Sequence, residues 1–209
     1  MYRSILGFVF FVCVTTVAVS LPASFARAEV AAIEDATRDM SIGKTDAPVT
    51  MIEYASLGCP HCANFHENTF PKIKENYIDT GKVRMIYRDY PLGTPALAAS
   101  MISRCAGSQR YFGMVDLFFR SQKQWGQADN PLEALKKTAR FGGMSGPDVD
   151  ACLQNQDLLT FIRDTAAKGQ KEFNVSATPT FIIGDVTIPG NLPYDDFKGY
   201  LDKALDKAR

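Results

Sequence analysis

The sequence predicts an α/β fold with an all-helical insertion between its second and third core strands, and three observations carry that prediction. A β-rich run from Val49 to Ala55 is followed by a helix start at Pro60 and then by a second β-rich run, Val83 to Tyr87. Between Pro95 and Phe173 strand signals give way to apolar residues at helical spacing. Strand signals then return as Thr180 to Ile183 and Val186 to Ile188 about a Gly184-Asp185 turn, ahead of a closing amphipathic helix from Pro193 to Ala208.

Residues 1–28 stand apart from this pattern. Arg3 is followed by an uncharged stretch from Ile5 to Leu21, and Ala26-Arg27-Ala28 places small residues at the two positions a signal peptidase reads. A basic start, an apolar core and an A-x-A site make an export signal cleaved near Ala28. The apolar stretch falls short of the ~20 residues that cross a bilayer. Cys13 leaves with it. So do Arg3 and Arg27, from a chain with 23 basic and 23 acidic residues, so the remainder is slightly acidic and gives no hint of a nucleic-acid partner. The remaining cysteines are Cys59, Cys62, Cys105 and Cys152, and an even number in an exported chain points to disulfides.

Residues 29–46 are polar and alanine-rich without a strong period, and read as a short leader or helix ahead of the fold. Residues 47–92 form the first half of the core. The run Val49 to Ala55 reads as a strand buried on both faces. Gly58 breaks it, and Pro60 suits a first helical turn, where its missing N–H has no partner to lose. The helix continues through Ala63, Phe65 and Glu67, Pro71 should kink or interrupt it, and Gly81 ends it. Strand, helix, strand in that order predicts two parallel strands. The insertion spans 93–170. It contains an alanine- and methionine-dense segment from Ala96 to Ala106 and a periodic one from Tyr111 to Phe119. Asn130-Pro131 caps a helix that Gly142 closes, and Asp157 opens another with Leu158, Leu159 and Ile162 on one face. Residues 171–209 supply the second half of the core.

The chemistry lies in Cys59-Pro60-His61-Cys62. Cysteines three apart share a helix face, so their sulfurs can bond. A CxxC alone also serves zinc sites, but this one follows a buried strand at the first turn of a helix in an exported chain. There the backbone N–H groups and the helix dipole stabilise a thiolate on Cys59, while Cys62, one turn inside, is the shielded partner. His61, between them, can add a protonated imidazole or its N–H. Cys59, Cys62 and His66 also lie on one helix face, with His61 near, which raises the possibility of zinc. A structural zinc site usually draws ligands from two elements, however, and the chain has only two histidines, so neither a metal nor a cofactor is expected. Cys105 and Cys152, within the insertion and outside any CxxC, read as a structural disulfide rather than a second redox pair. Closing that loop contributes up to ~4 kcal/mol in the chain-entropy model. Glu53 lies in the strand that reads as buried, where a carboxylate is costly without a task or a partner, unless the position is a wet strand edge.

The strand Val49–Ala55, the Cys59-Pro60-His61-Cys62 motif, the helical insertion and Ala177-Thr178-Pro179-Thr180-Phe181 together resemble the bacterial periplasmic DsbA-type oxidoreductases, over most of residues 41–209. The resemblance implies a thioredoxin-type fold with Pro179 as a cis-proline facing the redox centre. Thr178 would present its backbone to a substrate as an added strand. Glu53 would be the acid beneath the cysteines that moves the proton of the buried thiol. The activity it implies is donation of the Cys59–Cys62 disulfide to reduced, folding exported proteins in the periplasm. A quinone-linked membrane partner of DsbB type would reoxidise the protein, and a monomer is expected. A disulfide isomerase or reductase on the same fold is the alternative; it would need an oligomerisation module, for which residues 29–46 are a small candidate. A metal chaperone using Cys59, Cys62 and His66 is a more distant one. Two positions depart from the family. His66 stands where an acidic residue is frequent, and the family's buried lysine has no match, although Arg88 is close in sequence.

The exported protein is expected to begin at or near Glu29. Its intact mass checks this, and a product that retains Cys13 would overturn the cleavage assignment.

Overall fold

The structure, a computed structural model, describes residues 30–209. The expected export signal at 1–28 lies outside the described residues. The chain enters through a one-turn helix, α1 (Ile33–Ala36), and a short strand, β1 (Met40–Ile42), then forms β2 (Val49–Ala55). A helical run follows: α2 (Pro60–Asn64), a π-helical stretch Phe65–Thr69, α3 (Phe70–Ile73) and a second π stretch Lys74–Ile78. The helix expected to be kinked or interrupted at Pro71 is rewound instead. Proline has no N–H for the α ladder and its ring crowds the preceding turn. Just before it, the Phe70 N–H reaches back to the Phe65 carbonyl in the wider i→i−5 pattern. Gly81, with φ +76°, turns the chain into β3 (Val83–Asp89).

Between β3 and the next strand the chain is all helical: α4 (Thr94–Cys105), α5 (Tyr111–Arg120), α6 (Gln122–Gly126), α7 (Pro131–Phe141), α8 (Gly146–Leu153) and α9 (Gln156–Phe173). Asn130 caps α7 by accepting the Glu133 N–H, and Gly142 ends it. In α9 the cap is Asn155, which accepts the Leu158 N–H; Asp157 is a first-turn acid rather than the start, and the helix runs beyond residue 170. A capping box between Ser145 and Asp148 starts α8. The chain ends with β4 (Thr180–Ile183), β5 (Val186–Pro189) and α10 (Tyr194–Lys207). Among the described residues no helix is long and apolar enough to cross a membrane.

The five strands lie in the order β1-β3-β2-β4-β5. β2 and β3 are parallel, and every other neighbouring pair is antiparallel. The leader expected at 29–46 thus carries an edge strand of the sheet, with Met40 opposite Tyr87. Three residues are too few for an alternating pattern to be read from sequence.

Alternation along β2 sorts its side chains onto two faces. Met51 and Glu53 share one face with Met85, Tyr87 and Phe181, their register partners. On that face Phe65 packs against Phe181 (4.6 Å between ring centroids) and Phe197 of α10 (5.4 Å). Tyr54 lies on the other face with Ile182, Val175 and Phe173. Helices cover both faces, which is why β2 reads as a continuous buried run. The insertion is tied to the sheet by a buried ion pair: Arg104 of α4 donates to Asp89 at the end of β3 (2.5 Å) and to the carbonyls of Ala36 and Arg38. Next to it, Cys105 is bonded to Cys152, linking α4 to α8.

Helix α9 crosses the sheet at Gly169, where an added Cβ would lie 2.4 Å from a ring carbon of Tyr54. That ring is fully buried, and its hydroxyl accepts a hydrogen bond from Arg88 at 2.9 Å, so it cannot swing aside. Gly169→Ala is expected to destabilise the protein by about 1–3 kcal/mol, overpacking outweighing the ~1 kcal/mol that alanine adds in helix propensity. Denaturant unfolding measures it, and a variant as stable as the parent would show that α9 can shift off β2.

Candidate functional site

Where β2 ends, the chain turns sharply: the Cys59 N–H donates to the Ser56 carbonyl at 3.0 Å. The Ser56 hydroxyl accepts the N–H groups of Gly58 (3.2 Å) and Leu92 (3.0 Å). From α6, the Gln122 amide donates to the carbonyls of Leu57 (2.7 Å) and Cys59 (3.0 Å), clamping the loop from outside. Cys59 is the N-cap of α2 in an extended conformation, and Pro60 occupies the first turn. The Cys59 sulfur therefore stands at the end of the helix where the first N–H groups lack intrahelical acceptors.

The loop before β4 closes over this sulfur. The Thr178–Pro179 peptide is cis, and the Thr178 carbonyl lies 3.2 Å from the Cys59 sulfur, where it accepts the thiol proton whenever Cys59 is protonated. The Thr178 hydroxyl is buried beside the sulfur and favours its charged form. The Cys59 thiol is held down to about 5. The largest cause is a hydrogen bond from the Cys62 thiol, joined by Thr178 and by the N–H groups of Cys62 and His61; together they outweigh burial. The Cys62 thiol is pushed far up by burial first, then by its bond to Cys59 and the negative charges of Glu53 and Cys59. In the dithiol state the pair therefore carries one negative charge and one proton, and the proton is on Cys62. His61 is exposed, and its backbone N–H is one of the groups that hold the Cys59 thiol down.

Glu53 sits in the central strand with no solvent exposure, so the alternative of a wet strand edge does not hold. Its partner is His66: Nε2 lies 2.9 and 3.2 Å from the two carboxylate oxygens. The imidazole stacks on Phe119 at 4.5 Å and meets Tyr87 edge-on at 5.9 Å. Sequence reasoning singled out both residues but did not pair them. The signal lay in the cost of a buried carboxylate, which demanded a donor. Gln122 was missed and gave no local signal. His66 is turned to Glu53, so the three-ligand face drawn for zinc does not assemble, and among the described residues no group of three or more His, Cys, Asp or Glu converges on a point. Arg88 does not replace the family's lysine, because it points to Tyr54 and Asp39 on the opposite face of the sheet from Glu53.

A dithiol at a helix start, opposed by a cis-proline loop on a central β-sheet, defines the class of thioredoxin-fold redox proteins. The chain belongs to the DsbA-type members of the thioredoxin superfamily: the Thioredoxin family model matches residues 35–203, and the chain resembles Wolbachia pipientis alpha-DsbA1 in both sequence and structure. That crystal structure is 33% identical, with a TM-score of 0.76, over 82% of this chain and 92% of the other. A Rickettsia conorii relative, named provisionally as a protein-disulfide oxidoreductase, is 29% identical over 172 residues, which is 82% of this chain and 62% of the relative. The chain thus spans about three-fifths of the length of such curated relatives. The oxidised structure of BdbD from Bacillus subtilis shares the fold at 23% identity (TM-score 0.71, over 86% of this chain and 97% of that one).

Ultraviolet titration of the reduced protein is expected to show one thiolate with a midpoint near the value of about 5 that the site sets for Cys59, and no second thiolate through the alkaline range of a free cysteine. The sign for stability follows. A thiol whose folded pKa is depressed stabilises the reduced fold fully above the unfolded value of ~8.5, and that stabilisation is lost as pH falls toward the folded value. The stability of the reduced protein relative to the oxidised one should therefore shrink from pH 8.5 to 5. A difference that stays constant would show that the thiolate is not held.

Proposed function

We propose that this protein is an exported disulfide oxidase of the periplasm, which donates its Cys59–Cys62 disulfide to reduced proteins as they fold. The observation that carries this reading is the asymmetry of the pair, with the thiolate favoured on Cys59 and the proton held on Cys62. Stabilising a thiolate stabilises the reduced protein against its disulfide, so the pair draws electrons from substrates. A substrate thiolate attacks the Cys59 sulfur, and Cys62 leaves and becomes a thiol. A second substrate thiolate then attacks the substrate sulfur of the mixed disulfide, and Cys59 leaves as a thiolate. The substrate loses two electrons and two protons; one proton remains on Cys62 and the other goes to solvent. Attack falls on Cys59 because Cys62 has no exposure at all. The backbone beside Thr178 and Pro179 offers an incoming peptide an edge to pair with, giving affinity with little sequence preference. Reoxidation falls to a quinone-linked membrane partner of DsbB type.

An isomerase on the same fold would need an oligomerisation module, and residues 29–46 were the candidate. Their described part is occupied inside the fold: β1 pairs with β3, the Ala31 N–H donates to the Cys105 carbonyl, and Asp35 accepts the Ser108 N–H. This supports a monomeric oxidase over an isomerase.

Cys62→Ser, which cannot close its own disulfide, is expected to accumulate mixed disulfides when its Cys59 thiolate attacks disulfides already formed in substrates, because the internal resolving thiol is gone. Cys59→Ser should trap far less. Alkylation and mass mapping of adducts from cells reads both, and equal trapping would reverse the assigned order of attack.

A further inference from the structure

In the proposed exchange Cys62 alternates between a disulfide sulfur and a neutral thiol. Each reduction delivers a proton to that sulfur and each reoxidation removes one, yet Cys62 has no contact with water. The carboxyl group whose charge reaches it is Glu53, which is equally dry. Glu53 in turn meets the Nε2 of His66 at 2.9 Å. His66 differs from both. Its side chain retains 8% exposure and lines an open cleft with Pro60, Ala63, Glu67, Phe119 and Arg120. Stacking on Phe119 and edge contacts with Phe65 and Tyr87 fix the plane of the ring. The charge of one buried acid thus reaches a dry sulfur, and the same acid is held by an imidazole with one edge at the surface.

Resting on the exchange reaction proposed above, we infer that His66 is the relay that passes the Cys62 proton between Glu53 and the cleft. When Cys62 leaves the disulfide, the Glu53 carboxylate takes the Nε2 proton of His66 and passes one on to the sulfur, ending as a carboxylate again. The ring regains a proton from water at its other nitrogen. Reoxidation runs these transfers backwards, and the electrons move only in the sulfur exchange. Several other groups face the ring or line its cleft: Tyr87 from the sheet, Glu67 from its own helical run, Asp116 and Arg120 from α5, and Lys123 from α6. Burial holds the Tyr87 phenol neutral throughout the working range, and Arg120 and Asp116 pair with each other at 2.8 Å.

The test isolates the step in which Cys62 must lose its proton. The reduced full chain is mixed with oxidised glutathione. Cys59 forms the mixed disulfide, Cys62 then displaces glutathione, and acid quenching with mass analysis times the two steps separately. His66→Gln and His66→Phe, the second of which keeps a ring against Phe119, should leave the first step unchanged and slow the second by about tenfold or more, a modest share of what a positioned acid–base group contributes. With the relay gone the Cys62 proton can leave only to hydroxide, so the second step of the variants should rise about tenfold per pH unit throughout pH 5 to 8, a profile the parental protein should not share. Imidazole added to His66→Ala should restore part of the rate, which relief of a packing defect would not do. A second step at the parental rate in the variants overturns the relay. So does a slow step that imidazole does not rescue and whose pH profile keeps the parental shape. Should no variant fold, the parental protein decides the matter: a second step that rises about tenfold per pH unit throughout pH 5 to 8, as loss of the proton to hydroxide alone would give, overturns the relay. Failure of the parental protein to form any mixed disulfide is a different result, read from the first step alone, and it removes the exchange reaction itself.

Discussion

The turn from β2 into α2 must hold one sulfur against the unpaired N–H groups of a helix start, and a four-residue motif cannot do this unaided. Its carbonyls would be free to swing, and a helix as short as α2 has little stability of its own. The surrounding fold supplies the missing restraint. Ser56 draws in the backbone on both sides of it, Gln122 reaches across from α6 to two carbonyls, and the Thr178 loop caps the sulfur. Each of these partners comes from a different part of the chain. The helical insertion is therefore part of the redox centre's support.

Restraint alone would leave the two sulfurs alike. They differ because they sit at different depths in one electrostatic gradient. Cys59 meets donors from the helix start, while Cys62, one turn further in, meets burial and the charge of Glu53. A carboxylate in the centre of a sheet is tolerable only with a strong donor beside it. His66 is that donor, and the aromatic wall of Phe119, Phe70 and Tyr87 holds it in place. The same wall keeps water from Glu53, and the side chain that hydrogen-bonds it, His66, is a group that can also exchange a proton.

The insertion and the N-terminal segment are locked to the sheet through Arg104. It reaches Asp89 at the end of β3, the carbonyls of Ala36 and Arg38, and the rings of Tyr111 and Phe161. Removing one member of a buried ion pair strands the other and costs on the order of 3–5 kcal/mol. With the Cys105–Cys152 bond beside it, this cluster anchors the insertion at its first helix, close to where Leu92 is held by Ser56.

Much of this was legible in the residues before any fold was known. The strand from Val49 to Ala55, the helix start at Pro60, the Asn130 cap, the Gly142 stop and the hairpin about Gly184 are written in a few consecutive residues, where periodicity and capping act. The helical nature of the insertion and the asymmetry of Cys59 and Cys62 follow from the same local rules. Elsewhere the deciding partner lies far along the chain. β1 is a strand only because β3 is beside it, Pro71 rewinds its helix rather than breaking it because the sheet holds both ends, and Arg88 faces away from Glu53 by the register of β3. The pairing of Glu53 with His66 and the reach of Gln122 to the redox loop belong to the same group. Sequence by itself determined which residues could do chemistry and which segments could be helix or strand, because those preferences are carried by neighbours in the chain. Only the tertiary structure decided which buried groups meet, because a carboxylate excluded from water takes the donor that packing brings to it.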